Sequence, residues 1–97
     1  MKLVGGFNIQ LWNYLGFTFE VSEWFEGGQI WYAKKQFEEL FFSLRINTFS
    51  GYALAKIENG RSQKVGNHVV DEKTALEWFS SKSPKFHEAY QSFRKMV

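Results

Sequence analysis

The chain has 97 residues, a formal net charge of +2 and no cysteine. This length fits a single domain over residues 1–97, and the lack of cysteine excludes a disulfide framework, a thiolate metal site and a cysteine nucleophile. The net charge is weaker than the basic bias of most nucleic-acid binders, and no apolar run is long enough to cross a membrane. We therefore expect a small cytoplasmic protein that does not contact membranes.

The content of aromatic residues is high and unevenly distributed. Nineteen residues are Phe, Trp or Tyr; fourteen of them lie in the first 52 positions, and residues 53–77 contain none. One small core does not need this many rings. The excess predicts a binding surface in the first half of the chain.

The first half of the chain indicates an antiparallel hairpin after an ambiguous start. Residues 7–15 fit either a strand or a short helix capped by Asn8. Residues 17–22 alternate between apolar and polar, which predicts a strand. A turn at Gly27-Gly28 and a second strand over 29–35 would complete the hairpin.

Three more strands follow. Residues 40–47 alternate with period 2. Asn59-Gly60 is typical of a type I′ turn, because both residues accept positive φ, and it separates predicted strands over 51–58 and 63–70.

The end of the chain predicts two helices. Asp71 is a suitable N-cap for the first, and Ser83-Pro84 gives a cap and a proline at the first helical position of the second. An apolar stripe at helical spacing follows: Phe86, Ala89, Tyr90, Phe93 and Val97. The predicted fold is α+β, with an antiparallel sheet of four to five strands and two C-terminal helices packed on one face.

No group of residues indicates catalysis. His68 and His87 lack further metal ligands at known spacings, and the adjacent carboxylates Glu38 and Glu39 diverge on a strand or helix. Residues 80–83 contain serines and a lysine, but we expect them in an exposed loop without an activating base. We expect no enzymatic activity, no cofactor and no metal.

The aromatic residues that fall out of phase with the predicted core are the candidates for a binding site. We expect them on the open sheet face, flanked by three basic residues. The predicted partner-binding residues are Trp12, Trp24, Trp31, Tyr32, Lys34, Lys35, Arg45 and Tyr52.

Trp and Tyr are frequent in protein–protein hot spots, but they also stack on bases in single-stranded nucleic-acid binders. Residues 50–57 partly match the first RNP motif of RNA-recognition domains, although that fold needs a helix between its first two strands. A nucleic-acid-binding module is therefore the alternative to protein binding. An edge strand could instead form a homodimer and cover the same aromatic residues.

Residues 59–79 resemble a small type I-F anti-CRISPR protein of bacteriophages. The shared residues are Asn59-Gly60-Arg61-Ser62, Val65-Gly66, Asp71, Thr74, Leu76-Glu77 and Trp78-Phe79. The resemblance implies a meander sheet followed by two helices, and a non-enzymatic inhibitor that binds the host CRISPR surveillance complex and prevents target DNA from pairing with the guide RNA. It assigns no contact residue, because that family's contacts lie outside the matching string. The expected function is thus that of a binding protein which occupies a protein surface in the host cytoplasm.

Overall fold

The computed structural model describes residues 2–60 and 64–96. It contains seven strands and three helices: β1 (Leu3–Val4), β2 (Phe7–Asn8), α1 (Ile9–Tyr14), β3 (Glu20–Phe25), β4 (Gly28–Phe37), β5 (Leu40–Asn47), β6 (Tyr52–Asn59), β7 (Lys64–Val70), α2 (Glu72–Lys82) and α3 (Pro84–Met96). The type I′ turn predicted at Asn59-Gly60 is wrong: Asn59 continues β6 and pairs with Leu40, and neither Asn59 nor Gly60 has a positive φ. The predicted first residue of the following strand, residue 63, and the last residue of the apolar stripe, Val97, lie outside the described residues.

The main sheet confirms the predicted α+β class. Its five strands are antiparallel and follow the order β3-β4-β5-β6-β7, while β1 and β2 form a separate small hairpin. The sequence did not indicate that small hairpin. The molecule measures 38 × 35 × 19 Å, and its shortest dimension fits one layer of helices on one sheet.

Of the two interpretations of residues 7–15, the short helix capped by Asn8 is correct: α1 covers Ile9–Tyr14, while Phe7 and Asn8 form β2. The side chain of Asn8 accepts hydrogen bonds from the backbone N–H groups of Gln10 and Leu11, at 3.1 and 3.3 Å. At the other end, Gly16 has a φ of +98°. The N–H of Gly16 donates to Asn13 O and that of Phe17 to Trp12 O, which is the bonding pattern of a Schellman motif.

This C-terminal motif also corrects the predicted start of the first long strand. Residue 17 was expected to begin it, but the backbone N–H of Phe17 is bonded to α1. The strand begins at Glu20 instead. Phe17 packs on Trp12 with ring centroids 5.1 Å apart, the apolar contact that accompanies such helix ends.

The core lies between the helices and the inner face of the sheet. Buried hydrophobic residues alternate along β5 and β6, and the register places Leu44 beside Ala33 and Ala55. Trp12 is fully buried at the centre, with its ring centroid 6.0 Å from those of Phe79 and Phe86. These aromatic contacts connect α1 to both C-terminal helices.

The two C-terminal helices begin where their caps predict. Asp71 accepts a hydrogen bond from the Thr74 N–H at 2.9 Å, and Ser83 accepts one from the Phe86 N–H at 3.1 Å. Thr74 is the main cause of a lowered Asp71 pKa, because its backbone and side chain both bond the ionised carboxylate. Residues 80–82, expected in an exposed loop, belong to the last turn of α2, and Ser83 is buried.

Candidate protein-binding surface

The outer face of the sheet is the face opposite the helices. Strand alternation places Tyr32, Arg45, Leu54 and Val69 in one row across β4 to β7. Each of these residues adjoins an inward-facing residue along its own strand. None of the described helices packs on this side, so the row faces solvent.

The predicted contact residues divide between the two faces. Tyr32, Lys34, Arg45 and Tyr52 lie on the outer face, as their register with one another requires. Arg45 forms an ion pair with Glu23, with Nη2 and Oε1 2.9 Å apart. The same guanidinium lies 5.8 Å from the centroid of the Tyr32 ring. Tyr32 and Arg45 therefore lie close together, on the same face as Lys34 and Tyr52.

Four other predicted contact residues lie on the helix side, which corrects their assignment to the open face. Trp24 is one of them, because it pairs in register with Gln29, which lies on the same side of the sheet as Trp31. Trp12 is in the core, because it belongs to α1 rather than to a strand. Trp31 is half-buried against the core and donates from Nε1 to Gln29 Oε1 at 2.8 Å. Lys35 pairs in register with the buried Phe42, and its aliphatic chain lies over Gly16.

Four of the five exposed aromatic side chains in the described part of the chain lie at one end of the sheet. This end carries the β3–β4 turn and the β5–β6 loop, so we call its four residues the aromatic end: Trp24, Phe25, Phe49 and Tyr52. Their exposed fractions are 76%, 40%, 75% and 52%. Two of them, Phe25 and Phe49, were missed by the sequence analysis, because no periodicity distinguishes a loop residue or a residue at a strand end.

The backbone around the aromatic end is held by local hydrogen bonds. The side chain of Asn47 accepts from the N–H groups of Phe49 and Ser50 at 2.9 and 3.0 Å. The Thr48 hydroxyl accepts from the Gln29 N–H at 2.9 Å, which ties the loop to β4. A Cβ placed on Gly27 would lie 3.5 Å from the Phe49 ring. Phe49 of the β5–β6 loop therefore lies against the β3–β4 turn, and local hydrogen bonds hold the backbone of this loop.

The charge beside the aromatic end is negative. Glu20, Glu23 and Glu26 are exposed on or next to β3, and the chain has no Lys or Arg from residue 3 to residue 33. Arg45 neutralises Glu23. Within the described residues, neither Glu20 nor Glu26 has an ion-pair partner.

The residues considered for catalysis do not converge in the described part of the chain. His68 packs edge-on against Trp78, with ring centroids 4.6 Å apart, and His87 is exposed on α3. Ser80 Oγ is buried without a hydrogen-bond partner among the described residues. Residues 2–60 and 64–96 contain no group of three His, Asp or Glu side chains that could hold a metal ion.

Glu72 has a structural role that the sequence analysis missed. Its Oε2 accepts hydrogen bonds from the Asn8 N–H and from the buried Trp12 Nε1, the latter at 3.0 Å. The carboxylate thus connects the first turn of α2 to the start of α1. No local sequence signal could reveal a contact between residues 60 positions apart.

No helix within residues 2–60 and 64–96 has both the length and the apolar character that a membrane crossing requires. Comparison with known proteins finds no matching family model, no similar curated protein and no similar solved structure.

Proposed function

We propose that this protein is a non-enzymatic binding protein that attaches to a protein partner through the aromatic end. The observation that carries the proposal is the exposure of four large rings on a backbone fixed by its own hydrogen bonds. Large aromatic side chains with few rotatable bonds lose little entropy on binding and dominate protein–protein hot spots. Tyr32 and Arg45 extend the same surface along the outer face.

The local charge supports a protein partner over a nucleic acid. A single-stranded nucleic-acid site combines stacking rings with a basic groove that follows the phosphates. Here two of the rings share β3 with Glu20 and Glu23, Glu26 follows that strand, and Arg45 is already paired with Glu23. Phosphate groups would be repelled beside the carboxylates.

For the identity of the partner, we propose the CRISPR surveillance complex of a bacterial host. This choice rests on the resemblance of residues 59–79 to a type I-F anti-CRISPR protein. On this proposal the protein acts in the host cytoplasm, covers a protein surface of the complex and catalyses no reaction.

Substitution of exposed aromatic residues tests the contact surface. Trp24→Ala and Phe49→Ala each remove a ring that is three-quarters exposed, so the fold should persist. Loss of one hot-spot ring typically costs about 2 kcal/mol, or about 30-fold in affinity. We expect each variant to bind a purified type I-F surveillance complex at least that much more weakly in a calorimetric titration.

Tyr14→Ala is the matched control, because Tyr14 is an exposed aromatic residue of α1 outside the aromatic end. Its affinity should equal that of the wild-type protein. An equal loss in all three variants would argue against the aromatic end. If the wild-type protein ignores the complex but binds single-stranded DNA with an affinity that falls steeply as salt is added, the nucleic-acid alternative replaces the proposal.

A further inference from the structure

Strand β3 leaves one edge of the main sheet open. It is the first strand in the sheet order and pairs only with β4. All six of its residues are exposed, so none of the described elements covers its free edge. Such an edge presents unpaired backbone N–H and C=O groups, which an extended chain can bond as an additional strand.

The side chains along this edge restrict what can pair with it. Glu20 and Glu23 belong to the strand and Glu26 follows it. Within the described residues, the ion pair that these carboxylates form is that of Glu23 with Arg45. Trp24 belongs to the same strand but lies on the opposite sheet face from Glu20 and Glu23, with three-quarters of its surface exposed.

A second copy of this chain is a poor match for the same edge. Antiparallel pairing of β3 with itself would bring the carboxylates of the two copies close together, and opposed like charges destabilise a strand pair. The register of β3 also shifts between Val21 and Glu23, and such a bulge hinders continuous pairing between edges. The bulge affects any added strand, so charge makes the distinction: it disfavours a second copy of β3 and favours a basic partner.

We propose that β3 receives an extended segment rich in lysine or arginine from the partner protein, as an added antiparallel strand. The partner's cations would pair with Glu20 and Glu26, and a side chain on the other face of the added segment would pack on the Trp24 ring, because Trp24 lies on the opposite sheet face from Glu20. The inference rests on the proposed function and names the chemistry of the partner at this end of the molecule.

The test uses the full chain and two short peptides, one alternating lysine with valine and one alternating glutamate with valine. We expect the lysine peptide to bind and the glutamate peptide not to bind. Binding of the lysine peptide should slow amide hydrogen exchange within residues 20–25 and shift the Trp24 indole resonance. In Glu20→Lys/Glu26→Lys, affinity for the lysine peptide should fall by about tenfold or more, which is the effect of two reversed charge pairs. The same variant should acquire binding to the glutamate peptide.

Glu77→Lys/Glu88→Lys is the matched control, because it changes the net charge equally at exposed helical positions. It should bind the lysine peptide like the wild-type protein. Equal weakening by both double variants would overturn the inference, as would protection of β7 instead of β3 or no binding of either peptide. Protection of β3 that depends on protein concentration without peptide would assign the edge to a second copy.

The two proposals can fail separately. If Trp24→Ala and Phe49→Ala weaken binding to the surveillance complex but the Glu20→Lys/Glu26→Lys variant does not, the aromatic end stands and strand addition by a basic segment is wrong. If the lysine peptide binds β3 as described but the complex does not bind, the inference about the edge stands and the proposed partner is wrong.

Discussion

Glu72 and Gly16 both fix the position of α1 from outside the hydrophobic core. Glu72 provides the acceptor for a buried indole N–H, and Gly16 provides the left-handed backbone conformation that ends α1. Both act on the short N-terminal helix. A helix of six residues has little stability of its own, so its position depends on these contacts.

Glu72→Ala should destabilise the protein. It removes the only acceptor that the structure gives to Trp12 Nε1, and an unpaired buried donor costs about 1–3 kcal/mol. Glu72→Gln keeps an oxygen that can accept from the Trp12 indole, so it should lose less stability than Glu72→Ala. Urea unfolding gives the free energies, and the indole N–H of Trp12 should exchange faster in Glu72→Ala. Equal stability of the alanine variant and the wild-type protein would contradict the assigned role.

Gly16→Ala should also lower the free energy of unfolding. A residue with Cβ pays about 1–2 kcal/mol in the left-handed region, and Gly16 has a φ of +98°. Gly6→Ala is the matched control, since Gly6 has a φ of +81° with no atom within 4 Å of an added Cβ. Thermal unfolding should show similar losses of stability in Gly16→Ala and Gly6→Ala. The added Cβ at residue 16 meets the flexible end of the Lys35 side chain, which can move away. A much larger loss at residue 16 would show that Lys35 is held in place.

At the scale of elements, alternation and capping predict most of the sheet and both long helices. The alternation over residues 40–47 coincides with β5, and Asp71 and Ser83 cap the helices that they were expected to cap. For residues 7–15, the spacing of the apolar residues fits a strand while the Asn8 cap fits a helix, so these two signals alone do not decide between the two structures. A cap at Asn8 with glycine just past the end of the helix would have favoured the helix.

The Asp71 cap predicts how stability depends on pH. The folded-state pKa of Asp71 lies below its usual value of 3.8, mainly because the Thr74 N–H bonds the carboxylate. The unfolded state therefore binds the proton more readily, and stability rises with pH between the two pKa values. The contribution should be complete above about pH 5 and should be lost as pH falls through the folded-state pKa.

Asp71→Asn keeps a capping oxygen that does not titrate. The difference in unfolding free energy between the wild-type protein and this variant should thus shrink as the solution is acidified, when urea unfolding is followed at a series of pH values. A difference that stays constant down to low pH would mean that the charge of Asp71 has no part in capping.

At the scale of the whole molecule, the sequence predicts which side of the sheet is covered but not which aromatic residues remain outside. Trp12 and Trp24 are both out of phase with the apolar pattern, yet one is buried and the other exposed. Trp12 is buried because α1 folds back under α2, a long-range contact that periodicity does not encode. Trp24 is exposed because the helices do not extend over the edge strand β3.

The central position of Trp12 has a consequence for the order of folding. Its neighbours Phe79 and Phe86 come more than 60 residues later in the chain, so contacts of this range form only after a large loop has closed. During synthesis, the aromatic-rich first half must leave the ribosome before the residues that bury its central ring exist. The nascent chain therefore exposes a large apolar surface until α2 and α3 are made, and the core can fold only after residue 86 has left the ribosome.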